Sequence, residues 1–257
     1  MCLILLAYQQ HTESDLLILA NRDEFYSRPT AVARFWEDAP DLLAGKDLHA
    51  GGTWLGITRS GRFAAVTNYR DPSQHKDATH SRGILVRDFL LGEEGIESFL
   101  NRLHERRCDF KAYNLLIGNQ ESLWWYSSRL GEAHAIEPGV HALSNAHLNS
   151  PWPKVTRGRD ALSSALQASS LNDQKLLGIL ADRATAADNA LPDTGVDTAT
   201  ERMLSPIFIT SDSYGTRSST LLTIKASGEV RFTERTFASD STLVGTQRYS
   251  FNLLNGD

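Results

Sequence analysis

A cysteine at position 2 and, after one polar turn, the consecutive residues Asn21, Arg22, Asp23 and Glu24 put a nucleophile and four polar side chains near the start of this chain. A cysteine in that position has a particular chemistry open to it. If Met1 is removed, Cys2 carries a thiol with an ordinary pKa of about 8.5 and a free α-amine of about 7.7–8.0. Near pH 7.5 roughly a third of such amines are neutral and able to take the thiol proton. One residue then supplies both nucleophile and base. If Met1 stays, the amine becomes an amide and the true terminus moves by up to ~3.8 Å at Cα. The competing role for Cys2 is ordinary, since free cysteine is a common core residue.

The elements that must hold these residues read as a hairpin. Cys2 to Tyr8 is an unbroken apolar run, Gln9 to Ser14 a polar turn, and Leu16 to Ala20 a second apolar run closed by Asn21 to Glu24. Side chains alternate along a strand, so Asn21 and Asp23 share one face and Arg22 and Glu24 the other. One pair is then free to hold a thiolate and substrate, and the other to form a structural ion pair. A strand-end charge cluster facing solvent is the bland alternative.

Further along, Gly51-Gly52 opens TWLGITRSGRFAAVTNYRD, a second hairpin turning at Ser60-Gly61 and ending at Asn68. Two helices follow. The first has Ser81 as its N-cap and Ile84, Leu85, Phe89 and Leu90 at helical spacing; the second carries Ile96, Phe99, Leu100 and Leu103. Strands return in YNLLIGN, LWWYSS and VHALSN. Helices are expected over about 154–169 and 173–184, then a surface loop over 185–200, then strands in PIFIT, STLLTIKA and EVRFTERTF. Strands do not alternate singly with helices, so a doubly wound parallel sheet is not expected. Mostly antiparallel sheets packed against helix pairs fit the order, an α+β arrangement with a helical layer outside each of two facing sheets. The whole of 1–257 reads as a single domain.

Composition narrows the function. The net charge of −5 argues against nucleic-acid binding, which needs a basic face. Two cysteines, Cys2 and Cys108, make neither a disulfide framework nor a zinc site. No segment reaches the length of a membrane span, and residues 3–7 are too short for a signal peptide. A reducing cytoplasm is the expected location, with a small molecule as partner and no integral membrane segment.

The start MC together with ANRDEFYSRP, GGTWLGI, AAVTNYR, HALSNA followed by PWPK, and YGTRSST resembles the NRDE family, the transport and Golgi organisation 2 proteins. The family is similar in turn to N-terminal-nucleophile (Ntn) hydrolases, especially their cysteine branch with penicillin V acylase and bile-salt hydrolase. That resemblance implies a four-layer αββα sandwich. It also implies Cys2 as nucleophile, Asn145 as the pocket asparagine and Asn68 as a donor to an oxyanion. The hydrolases carry an arginine followed three residues later by an aspartate. Here Arg22 is followed at once by Asp23, and either Asp23 or Glu24 takes the acidic role.

The family is also implicated in haem trafficking and lipid homeostasis, so haem is the implied cargo, and no catalytic metal is expected. On this reading the chain is an intracellular haem-binding or haem-trafficking protein. The alternative is an N-terminal-cysteine hydrolase or acyltransferase. Of the histidines, His49, His75 and His80 lie in or beside polar turns and His147 follows Asn145; each alone reads as a surface residue. Trp54, Trp124, Trp125, Trp152 and Phe25 are candidates to wall an apolar pocket that includes Asn21, Glu24 and His147 as ligand contacts. Arg217 in YGTRSST either binds a carboxylate, such as a haem propionate, or forms a structural salt bridge.

If acyl transfer is the chemistry, loss of one oxyanion donor is worth ~2.7–4 kcal/mol. Asn68→Ala is therefore expected to slow turnover by a factor on the order of hundreds; an unchanged rate would remove Asn68 from the site.

Overall fold

The computed structural model describes residues 2–72, 80–119 and 121–254. His75 lies outside them. The chain forms two compact units, Met1–Ser27 with Pro138–Phe251, and Arg28–Glu137 with Asn252–Asp257.

The first unit is built on a six-stranded antiparallel sheet. Its strands are β1 (Cys2–His11), β2 (Ser14–Phe25), β10 (Gly139–Leu143), β11 (Tyr214–Ile224), β12 (Glu229–Phe237) and β13 (Leu243–Asn252), in the order β10-β1-β2-β11-β12-β13. The two strands of the opening hairpin are thus interior. Both faces are covered, which is why Leu3 to Ala7 and Leu16 to Ala20 are buried without interruption. One face carries Leu3, Leu5, Leu17, Leu19 and Leu221 against α3 (Pro153–Ala165) and α4 (Asp173–Ile179), through Val155, Leu162, Leu176 and Leu177. The other face carries Cys2, Ile4, Leu6, Ile18, Ala20 and Arg22, as the register dictates.

The second unit holds a seven-stranded sheet in sequential order. Its strands are β3 (Thr30–Trp36), β4 (Ala39–Asp47), β5 (Leu55–Thr58), β6 (Phe63–Asn68), β7 (Tyr113–Gly118), β8 (Leu123–Ser127) and β9 (Glu132–Ala135). Here α1 (Gly83–Leu91) and α2 (Ile96–Glu105) bury Val86, Phe89, Phe99 and Leu103 against Ala64, Val66, Leu115 and Ile117. The Arg28 guanidinium holds Asp47 Oδ2 at 2.7 Å, while Asp47 Oδ1 accepts the His49 and Ala50 N–H groups. Burial alone would raise the Asp47 pKa, but these donors carry it below the usual carboxylate range.

Several expectations are corrected. PIFIT is no strand: only Thr210 makes an isolated bridge, to Gly215. Its backbone is spent elsewhere, with Phe208 N–H donating to Asp182 O and Ile207 O accepting from Asn21. The loop over 185–200 ends in a short helix, α5 (Thr198–Met203), capped by the Asp197 carboxylate. The cap of α1 is Arg82 rather than Ser81. Strands β3, β4, β9 and β13 add to those expected.

The glycine pair before β5 is used twice over. Gly51 adopts φ +70°, and a Cβ on Gly52 would stand 2.4 Å from the Gly83 carbonyl carbon. That close approach lets Thr53 N–H donate to Gly83 O and dock the start of α1. Gly52→Ala is expected to destabilise the protein by about 1–3 kcal/mol, measured as a lowered midpoint in urea; an unchanged midpoint would show that α1 is docked by other contacts.

Candidate functional site

The site is assembled by register in the first unit. Cys2 pairs directly with Arg22 on β2, and Arg22 pairs in turn with Ser218 on β11. Residues opposed across an antiparallel sheet project to the same side, so these three form one row on the face away from α3 and α4. Cys2 is half-buried at the end of that row, and Arg22 is buried. On the other side of Cys2, the Ser144 hydroxyl donates to the Cys2 carbonyl oxygen and to Asn145 Oδ1, which sets the buried Asn145 beside the cysteine.

The neighbouring row faces the helices and is structural in character. Asn21 donates through Nδ2 to Leu180 O and Ile207 O, both at 2.9 Å, and accepts from Ser219 Oγ at 2.6 Å. Asn21 therefore fastens β2 to the helical layer. Asp23 lies on the same side by alternation. Its Oδ1 accepts from Thr216 Oγ1 at 2.7 Å, and Thr216 Oγ1 in turn accepts from Ile209 N–H. The Asp23 backbone carbonyl accepts from Tyr214 Oη at 2.9 Å.

One buried residue here was not foreseen in the sequence. Lys154, 2% exposed, sits in the first turn of α3 and donates to Leu204 O at 3.0 Å. A cation is disfavoured at a helix N-terminus by the macrodipole, so its burial there needs an opposing charge. The buried Asp23 carboxyl is the acidic group that feels the Lys154 charge most. Burial pushes the Asp23 carboxyl up, and the Lys154 ammonium is the strongest influence drawing it down, ahead of the Thr216 bond and Arg22. The signal available in the sequence was the Lys of PWPK, a motif read only for the family resemblance.

The Cys2 thiol is raised above its ordinary pKa. Burial is the main cause and the Asp23 carboxylate adds to it, while the Asp23 backbone N–H and the Arg22 guanidinium work in the opposite direction. The resting group is thus a thiol, and its proton must leave as the sulfur attacks.

The remaining candidates are spread over the chain. Asn68 closes β6 in the second unit, opposite Tyr113. Trp54, in the same unit, lies so tightly on Gly45 that a Cβ there would meet its ring at 2.2 Å. Trp125 donates to Asn114 Oδ1 and stacks on His134, which places it in the packing of β7 to β9. Glu24 accepts from the Phe25 N–H, and Phe25 is exposed with its ring edge-on to Tyr214. His147 lies in the turn after Asn145, where its carbonyl accepts from Ser150. Arg217 is the bulged residue between the Thr216–Asp23 and Ser218–Arg22 pairs, and its guanidinium donates to Phe25 O and Tyr26 O. Among the described residues no group of three or more His, Cys, Asp or Glu stands close enough to hold a metal ion, and no helix is long and apolar enough to cross a membrane.

Comparison with known proteins follows the same outline. The family model described as Transport and Golgi organisation 2 matches residues 1–239. The chain belongs to the Transport and Golgi organisation 2 family. The mouse Transport and Golgi organization 2 homolog is 33% identical over 98% of this chain and 99% of its own length, and the human homolog is 32% identical with the same coverage. Among solved structures, the C2A mutant of conjugated bile acid hydrolase from Clostridium perfringens superposes with a TM-score of 0.56 at 9% identity, over 98% of this chain and 92% of that one. The N-acylethanolamine-hydrolyzing acid amidase ortholog of Caenorhabditis elegans gives 0.51 at 8% identity, over 86% and 92%. The fold of this family member is accordingly α+β and Ntn-hydrolase-like.

Removing one member of a buried charge pair typically costs about 3–5 kcal/mol. Lys154→Met is expected to destabilise the protein by about that amount at neutral pH. The loss should shrink as pH falls through the raised Asp23 value, because protonation discharges the carboxylate left behind. The double variant with Asp23→Asn should recover much of the loss. Urea unfolding at two pH values checks this, and a loss independent of both pH and Asp23 would refute the pairing.

Proposed function

We propose that this protein carries out acyl transfer at Cys2, taking an acyl group from an amide or thioester onto the sulfur and passing it to water or an amine. The observation that carries the reading is the placement of the half-buried Cys2 opposite the buried Arg22, with Asn145 tied through Ser144 to the Cys2 carbonyl. The names of the two solved structures, an amidase and a conjugated bile acid hydrolase, support it at the level of fold.

Once Met1 is removed, the α-amine of Cys2 takes the thiol proton as sulfur bonds to the carbonyl carbon. The carbonyl oxygen gains the negative charge, and Asn145 is the amide donor available beside Cys2 to receive it. Collapse breaks the bond to the leaving nitrogen or sulfur, which departs with the proton held by the ammonium. Water then attacks the thioester carbon, releasing the acyl group as a carboxylic acid and restoring the thiol. Asp23, held by Thr216, fixes the end of β2 that places Arg22 opposite Cys2.

Haem carriage, which the family resemblance implies, is the second reading. The observation favouring it is that His147 lies in the 144–150 turn, three residues after Ser144, whose hydroxyl donates to the Cys2 carbonyl.

Intact mass first reports whether Met1 is gone. Incubation with the hexanoyl thioester of N-acetylcysteamine is then expected to add one hexanoyl group to the processed wild type and none to Cys2→Ala. Processed protein that stays unmodified would overturn acyl transfer. Haem titration followed at the Soret band, if positive in wild type and in Cys2→Ala without any adduct, would favour the carrier instead.

A further inference from the structure

The row that begins at Cys2 does not stop at Arg22. Its third member, Ser218, is 4% exposed, and among the described residues its hydroxyl has no hydrogen-bond partner. A buried hydroxyl without a partner forfeits its solvation with nothing in return, and native proteins rarely leave one so. Thr223 Oγ1, further along β11, is likewise buried without a partner among the described residues, but the two hydroxyls nearest Ser218 are both used. Thr216 spends its hydroxyl on Asp23 and Ile209, and Ser219 spends its own on Asn21. Both project to the helix-facing side. Ser218 projects to the opposite side, with Cys2 and Arg22.

The bulge at Arg217 produces this arrangement. One extra residue between the Thr216–Asp23 and Ser218–Arg22 pairs puts Thr216 and Ser218 on opposite faces, although two residues apart they would share a face in a regular strand. Arg217, the residue of YGTRSST that drew attention by its charge, is tied to the Phe25 and Tyr26 carbonyls. The polar group turned toward the cysteine row is the serine that follows it.

We infer that Ser218 is a specificity-determining contact for the acyl group held on Cys2, and that the acyl groups preferred carry a hydrogen-bonding oxygen at their far end. The inference rests on the acyl-transfer reading above. Two strand spacings separate Ser218 from Cys2, about 10 Å. Allowing for a hydrogen bond of about 2.8 Å at the serine leaves the partner oxygen roughly 7 Å from the cysteine end of the row. A six-carbon acyl chain with a terminal hydroxyl, bonded to the sulfur, is long enough to span that distance. A plain alkyl chain of the same length would leave the serine without a partner.

The test compares N-acetylcysteamine thioesters of hexanoate and 6-hydroxyhexanoate on the processed full chain, with single-turnover acylation of Cys2 followed by mass. Wild type is expected to prefer the hydroxylated group by roughly three- to tenfold. Ser218→Ala should bring the ratio to about one. Ser218→Thr, which keeps the hydroxyl, should retain the preference and so separate hydrogen bonding from packing. Acylation of wild type at equal rates by both probes, or a preference that persists in Ser218→Ala, would overturn the assignment of Ser218 while leaving acyl transfer in place. Absence of acylation by either probe would overturn both.

Discussion

The first unit depends on the two-residue alternation of β2 being held in one register. Asn21 enforces it. Its amide grips two carbonyls of the helix-facing layer, and its oxygen takes the Ser219 hydroxyl, so the strand cannot slip by one position without leaving three buried polar groups unsatisfied. With Asn21 fixed on the helix side, Arg22 must lie on the other, level with Cys2. The Asn21 amide faces the helical layer, on the opposite side of the sheet from Cys2.

Charge is distributed across the same strand in a consistent way. A buried carboxylate and a buried ammonium lie on the helix side, and a buried guanidinium lies beside the thiol. Each ion would be costly in isolation. Asp23 links the two faces electrostatically: its carboxylate takes the Thr216 hydroxyl and is drawn down by the Lys154 charge, while the same carboxylate raises the Cys2 thiol.

The opening hairpin was legible because both strands are interior and read as uninterrupted apolar runs. The helix pairs were legible from their periodicity. Strands β3, β9 and β13 were not, because each lies at a sheet edge and mixes exposed and buried positions without clean alternation. PIFIT misled in the opposite direction: Ile207, Phe208 and Ile209 are buried like strand residues, but they fill space beneath the helices. In the candidate site, Cys2, Arg22, Asp23 and Asn145 were readable as residue types, and the opposite sides taken by Arg22 and Asp23 followed from alternation. Lys154 escaped because a lysine is read as surface. Ser218 escaped because a bulge leaves no mark in composition, and the charged neighbour at 217 drew the eye.

The Thr216–Asp23 bond joins residues 193 positions apart, and the strands it bridges enclose most of the chain. Loop closure on that scale is slow relative to local helix and hairpin formation. During synthesis the first hairpin therefore emerges long before β11, its Asp23 still solvated and its cysteine end open. Any trimming of the amino terminus has that interval in which to act, before β11 seals one edge of the hairpin and β10 the other. Were Met1 to be removed, the order of translation would leave that interval for it.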